Sequence, residues 1–320
     1  MLAVLFPGQA SQEVGMGRDV FDASPAARAV FEEADAALAD SLAVPLSQLC
    51  FEGPEEELRR TEIQQPAILT TSIALLRALE EAVGPLEPAY VGGHSLGEYS
   101  ALVAAGAIDF SDAVRTVHLR GRAMQEAVAE GRGAMAAVMG VAPETVAEAC
   151  AQAAEETGGV VTPANYNSPQ QTVIAGEAGA VERACEKARE LGAKKTVALP
   201  VSAPFHCALM APAAEKLAAE LGRLTFSGAK PPIVTNVEAE PNADPARMPE
   251  LLREQVTAPV RFSDMVACMK GLGVERYLEV GPGRVLSGLI ARIERRARRA
   301  NFSSLAELDE VREFVHGNEA

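Results

Sequence analysis

Apolar positions along the chain alternate between two patterns. Short unbroken runs end at glycine or proline. Leu2–Phe6 stops at Pro7-Gly8, Ala89-Tyr90-Val91 at Gly92-Gly93, and Arg276–Val280, taken as the last strand, at Gly281-Pro282-Gly283; residues 233–237 form a similar run. Runs of this length between turn residues predict buried strands. Longer segments with helical spacing separate them. Ser24-Pro25 opens a helix over 26–38, with serine as N-cap and proline in the first turn. Further helices are predicted over 70–82, introduced by Gln64-Gln65-Pro66, over 112–129, over 210–221 and from Val285 into residues 292–299. Strands alternating with helices predict an α/β fold with a central parallel sheet.

Between 134 and 199 the order changes to strand (134–141), helix (143–156), two strands (160–164 and 171–175), helix (177–191) and strand (195–199). The two central strands are joined by a turn-rich loop, Asn165-Tyr166-Asn167-Ser168-Pro169. This βαββαβ order is the ferredoxin-like unit. It predicts a small inserted domain, residues 131–198, inside a main domain made of 1–130 and 199–320.

One apolar stripe contains a charge. On the 112–129 helix the stripe is Ala113, Val117, Met124, Ala127 and Val128, and Arg120 falls in its middle, while Arg115 and Arg122 face the polar side. A core-facing arginine must be paired or line a cavity. An internal ion pair and a clamp for a substrate carboxylate are nearly balanced on this pattern alone.

The predicted strand ending at Val91 leads into Gly92-Gly93-His94-Ser95-Leu96-Gly97-Glu98, and then into a helical run that stops at Gly106. Strand, tight turn and helix is the context in which G-x-S-x-G forms a nucleophile elbow, with Ser95 at the tip against a helix N-terminus. The alternative is a glycine-rich turn with an incidental serine. A serine nucleophile needs a base. Of four histidines, His94 adjoins Ser95, His118 sits at the edge of the arginine helix's apolar face, and His316 lies in the polar tail. His206, at an expected strand end in a proline-flanked turn, is the candidate base. No orienting acid is evident. Asp109 and Asp112 qualify by chain order alone, and a backbone carbonyl could serve instead. The oxyanion donors expected are the N–H of Leu96 and one from an early loop, for which Gln9 is the natural choice.

Composition narrows the classes. The chain has 320 residues, 48% of them hydrophobic, enough for one large domain or two. A formal charge of −15 argues against nucleic acid and anionic membranes as partners. Five cysteines form no C-x-x-C pair, so neither a metal site nor a disulfide framework is expected, and reduced thiols in a cytoplasm fit better. The N-terminus lacks signal-peptide character, and no apolar stretch reaches the ~20 residues of a membrane span.

Together these segments resemble the malonyl-CoA:acyl-carrier-protein transacylases, over nearly the whole chain. The resemblance rests on Phe6-Pro7-Gly8-Gln9, Gln65-Pro66-Ala67, Gly93-His94-Ser95-Leu96-Gly97-Glu98, Arg120-Gly121 with Met124-Gln125, Asn165-Tyr166-Asn167-Ser168-Pro169, Phe205-His206-Cys207 and Glu279-Val280-Gly281-Pro282-Gly283. It implies a hydrolase-like main domain with a ferredoxin-like insertion. Ser95 matches the family nucleophile, His206 its base, Arg120 the arginine that holds the malonyl carboxylate, and Gln9 and Leu96 the oxyanion donors. Gln255 matches the residue whose carbonyl orients the histidine, and Gln65 a pocket residue. Relatives carry glycine where this chain has Ala10. The resemblance further implies malonyl-CoA as substrate, acyl carrier protein as partner, no bound cofactor and a role in fatty acid biosynthesis. The alternatives are a trans-acting acyltransferase of a polyketide synthase, a serine hydrolase or thioesterase, and a non-catalytic carrier-binding scaffold. Carrier proteins are generally acidic, so Lys194, Lys195 and the basic cluster at 292–299 are candidate docking residues.

Overall fold

Every side chain of β1 (Leu2–Phe6) is buried. Its residues alternate between two cores: Leu2, Val4 and Phe6 join one apolar cluster, and Ala3 and Leu5 the other. A period of two with both faces covered is what the centre of a helix-flanked parallel sheet requires. The computed structural model describes residues 1–201 and 203–317. In chain order the remaining strands are β2 (Tyr90–Gly93), β3 (Gly133–Met139), β4 (Val161–Ser168), β5 (Gln171–Glu177), β6 (Lys195–Ala198), β7 (Ile233–Val234), β8 (Pro241–Asn242), β9 (Arg276–Val280) and β10 (Arg298–Phe302).

The central sheet has the order β10-β9-β1-β2-β7-β8. All its neighbours are parallel except β7 and β8. Phe6 is in register with Gly93, so the loops after β1 and β2 leave the same edge side by side. That edge, at the carboxyl ends of parallel strands, is where open α/β sheets hold ligands.

The second sheet is antiparallel, in the order β4-β5-β3-β6. Helices Pro143–Thr157 and Ala178–Glu190 share an apolar cluster with one face of it, through Ala136, Val138, Val161 and Ile174. The opposite face, with Met135, Ala137, Val173 and Ala175, joins the main core.

Four expectations need correction. The helix expected at 70–82 runs from Thr61 to Val83, with Pro66 inside it. Pro66 has no N–H for the carbonyl of Glu62 one turn earlier. His118 Nδ1 takes that carbonyl at 2.9 Å from the neighbouring Phe110–Glu126 helix, so the break costs no orphaned acceptor. The two helices approach closely at Gly121, where a Cβ would stand 2.5 Å from the carbonyl oxygen of Thr61. The loop expected at Asn165–Pro169 is mostly strand. β4 continues to Ser168 through two irregularities, and main-chain bonds between Ala164, Tyr166 and Val260 tie it to the main body. The helix expected to run through 292–299 ends at Ile293, and Arg298–Phe302 is a further strand beside β9, so Arg276–Val280 is not the last. Finally, His206 lies in a turn that no strand precedes directly.

Two predicted helix starts, at Ser24-Pro25 and at Val285, match. Ser24 accepts the N–H of Ala27 at the start of the Pro25–Leu38 helix. The Glu279 carboxylate of the Glu279–Gly283 motif accepts the N–H groups of Leu286 and Ser287, capping the Val285–Ile293 helix. Among the described residues no helix is long and apolar enough to cross a membrane.

Candidate active site

The turn after β2 is sharp because space demands it. A Cβ on Gly97 would stand 2.1 Å from the carbonyl oxygen of Phe6, and one on Gly93 would stand 2.1 Å from the carbonyl carbon of Gly97. Any larger residue would push the helix that follows off β1. Ser95 between them has φ 52°, a left-handed conformation that costs a non-glycine residue about 1–2 kcal/mol. Among the described residues four non-glycine positions have positive φ: Ala10, Ser95, His206 and Ala239. The first three line one cleft of about 500 Å³, together with Gln9, His94, Asn165 and Phe205. Backbone strain of this kind concentrates at functional sites. Ala10 itself takes the left-handed turn, with φ 74°.

Ser95 Oγ lies 2.7 Å from His206 Nε2. His206 Nδ1 lies 2.7 Å from the carbonyl oxygen of Gln255. A carbonyl only accepts, so Nδ1 carries the proton and Nε2 presents its lone pair to the serine hydroxyl. Burial, and then repulsion from Arg120, lower the His206 pKa to about 3, so the ring is neutral near pH 7. Neutral His206 is therefore poised to accept a proton. Asp109 caps its own helix and Asp112 pairs with Arg115, so neither orients the imidazole.

Arg120 is 1% exposed. Its Nη1 donates to Gln65 Oε1 at 2.8 Å, and its Nη2 donates to Gln255 Oε1 at 2.9 Å and to Ser95 Oγ at 3.1 Å. Among the described residues it makes no direct ion pair; the buried Glu98 carboxylate acts on it only through the field. Its Nε finds no hydrogen-bond partner among them. The guanidinium lies beneath Ser95 and is not part of the open wall of the cleft. Burial depresses its pKa.

The other predicted residues converge on the same place. Leu96 is fully buried and precedes the Gly97–Ala104 helix. Gln9 is half-buried on the cleft wall, its Nε2 donating to Gln64 Oε1 at 2.6 Å. Gln65 is fully buried against Arg120. His94 turns away from Ser95 toward Asn167 Oδ1 at 2.8 Å, and His316 meets the carbonyl of Val83. A second cavity of about 430 Å³ lies against His118 and Arg122 and contains none of the predicted catalytic residues. Lys194 and Lys195 are exposed; in the basic cluster Arg292 donates to Gln171, and Arg299 to the carbonyls of Glu294 and Ala297.

Sequence reasoning assigned nothing to Asn236 or Glu98. Asn236 Oδ1 accepts the N–H of Ser95 at 2.7 Å, and its Nδ2 donates to the carbonyl of Gly93 at 2.7 Å. Glu98 Oε2 accepts from Asn236 N at 3.0 Å and from Gln255 Nε2 at 2.8 Å. Burial raises the Glu98 pKa to about 7. The one available signal was Glu98 itself, an acid in the otherwise apolar first turn after the elbow.

The family profile described as an acyl transferase domain matches residues 4–300. The chain is 51% identical over 293 residues to the malonyl CoA-acyl carrier protein transacylase of Escherichia coli, covering 91% of this chain and 92% of that one. It is 47% identical over 297 residues to the enzyme of that name from Bacillus subtilis, covering 93% and 92%. Among solved structures, an acyl carrier protein S-malonyltransferase from Vibrio cholerae matches with a TM-score of 0.92 at 45% identity, over 97% of this chain and 99% of that one. A malonyl-transacylase in complex with a type II polyketide acyl-carrier protein matches with a TM-score of 0.93 at 44% identity, over 99% of each chain.

Proposed function

The chain belongs to the acyl transferase family, and from that premise we propose that it moves malonyl from malonyl-CoA to the phosphopantetheine thiol of acyl carrier protein through an ester on Ser95. His206 Nε2 takes the hydroxyl proton as Ser95 Oγ attacks the thioester carbonyl. The tetrahedral oxygen is held by the N–H groups of Gln9 and Leu96, each donor typically worth about 3 kcal/mol. The C–S bond breaks, the leaving sulfur takes the proton from His206, and coenzyme A departs as the thiol. The carrier thiol then gives its proton to His206 and attacks the ester. Ser95 leaves and recovers that proton. The chemistry as written uses no group beyond these side chains and the two thioesters.

The observation that carries this reading is one oxygen with two partners. Ser95 Oγ is 2.7 Å from a neutral imidazole and 3.1 Å from a buried guanidinium. A hydrolase needs the first and has no use for the second. A malonyl carboxylate on Ser95 would pair with Arg120, whereas an acetyl group would leave the charge uncompensated. Gln255 orients His206 through its carbonyl, and Gln65 holds the outer side of Arg120. Intact, fully connected Ser95, His206 and Arg120 argue against a non-catalytic scaffold.

Residues 1–130 and 199–320 form the hydrolase-like catalytic domain of this reading, with 131–198 as a ferredoxin-like insertion. The strand order β4-β5-β3-β6, with both helices packed on one face, supports the second part. Five free cysteines fit a reducing cytoplasm. Fatty acid synthesis is the pathway favoured by the family resemblance. The relative solved with a polyketide carrier favours the second reading, a trans-acting role. Malonyl transfer to purified fatty-acid and polyketide carriers separates the two by relative kcat/KM. Loss of malonyl-CoA at the same rate with and without carrier would indicate a thioesterase. Exposed Lys194, Lys195, Arg295 and Arg296 are the docking candidates left free enough to meet an acidic carrier, and unchanged carrier affinity in their alanine variants would remove them.

A further inference from the structure

We propose that Asn236 and Glu98 are positioning residues, which together hold Ser95 in its left-handed conformation and join it to the glutamine that orients His206. The inference rests on Ser95 being the nucleophile. The hydrogen bonds form a closed loop. Ser95 N–H donates to Asn236 Oδ1 at 2.7 Å, and Asn236 N–H donates to Glu98 Oε2 at 3.0 Å. Gln255 Nε2 donates to that same oxygen at 2.8 Å and to the carbonyl of Ser95 at 3.0 Å. The loop therefore enters the nucleophile by its N–H and returns through its C=O. Asn236 Nδ2 adds a bond to the carbonyl of Gly93, so the asparagine grips the backbone on both sides of His94.

Each bond direction is forced. A backbone N–H only donates and a carbonyl only accepts, which fixes the sense of both amides. In Gln255 that sense leaves Oε1 for Arg120 and the main-chain oxygen for His206. A reversed Gln255 amide would set donor against donor at Arg120. Asn236 and Gln255 are fully buried and Glu98 is 1% exposed, so water offers no substitute partners. Ser95 stands at φ 52°, in a region serine leaves readily unless its surroundings hold it there. Glu98 thus stands where a serine-histidine site usually has its acid, but one residue further back: behind the glutamine that orients the histidine.

The test is the single-turnover rate of Ser95 acylation by malonyl-CoA, followed by intact mass. The rate constant belongs to molecules that react, while the amplitude reports how many are folded. Asn236→Ala should slow acylation about 100-fold, as expected when a reacting atom shifts by ~1 Å, with little change in half-saturation by malonyl-CoA. Glu98→Ala should do the same, and Glu98→Gln, which keeps an acceptor oxygen, should recover most of the rate. If Asn236→Ala does not fold, the two Glu98 variants carry the test. A wild-type rate constant with reduced amplitude in the alanine variants would mean a purely structural role and overturn the proposal. Failure of the unsubstituted enzyme to acylate at Ser95 would instead overturn the functional reading beneath it.

Discussion

Arg120 Nη2 donates to the side-chain oxygen of Gln255 at 2.9 Å, and the main-chain oxygen of that same glutamine takes the Nδ1–H of His206. One residue thus fixes both the group read as base and the group read as selector. A carboxylate arriving at Arg120 also relieves the repulsion that helps depress the His206 pKa. In the proposed reading, substrate binding at Arg120 and the base strength of His206 would therefore be coupled through Gln255.

Arg120→Ala should cut kcat/KM for malonyl-CoA about 100- to 1,000-fold, the loss typical of truncating one partner of a buried charged pair. Acetyl-CoA should lose much less, since it brings no carboxylate. Parallel kcat/KM measurements with the two thioesters check this, and equal losses reject the clamp.

The pH dependence follows from two shifts of opposite sense. The His206 pKa is depressed to about 3. The free enzyme therefore keeps its base neutral below the usual imidazole range, and the acidic limb of kcat/KM should fall well under pH 6.5. Between about pH 3 and 6.5 the unfolded chain binds more protons at this site, so His206 makes stability rise with pH there. Glu98 acts the other way. Its pKa is raised to about 7, so its contribution is fully present below the ordinary carboxylate pKa and is lost as pH rises through 7. Urea unfolding across this range should show the Glu98 component vanish in Glu98→Gln. An acidic limb centred at or above 6.5 would contradict the assignment for His206.

Two glycines separate packing from backbone strain. Gly97→Ala drives a Cβ to 2.1 Å from the Phe6 carbonyl oxygen and should abolish folding or acylation. Gly106 has φ 66° with nothing within 4 Å of an added Cβ. Gly106→Ala should cost about 1 kcal/mol of stability and leave the rate constant unchanged. Denaturant melts with single-turnover rates distinguish the two outcomes.

Ala10 has φ 74° on an exposed loop at the cleft. Ala10→Gly should stabilise the protein by about 1 kcal/mol. A thermal melt measures it. A lower melting temperature would show that the loop prefers alanine for a reason other than its dihedral angle.

The legible parts of the fold were those written in neighbouring residues. Ser24-Pro25 announces its helix, Pro7-Gly8 ends β1, and the elbow motif sits between a short apolar run and a helix. The start of the 61–83 helix is not legible, because the helix is buried on nearly every face, so no polar stripe marks its period, and because Pro66 looks like a beginning. β10 was hidden by arginines at a strand edge, where exposed charge is ordinary. Ser95 and His206 were accessible through motif and elimination. Asn236 was not: it lies 141 residues from the serine whose N–H it holds, in a turn just after the two-residue strand β7, and that stretch carries no catalytic signature.

The central claim is tested most directly by intact mass and peptide mapping after mixing with malonyl-CoA, then with carrier protein. The account predicts one malonyl group per chain, on the peptide containing Ser95, absent in Ser95→Ala and discharged to the carrier thiol. A label on Cys207, or a malonyl adduct lost to water as fast as to carrier, would contradict it.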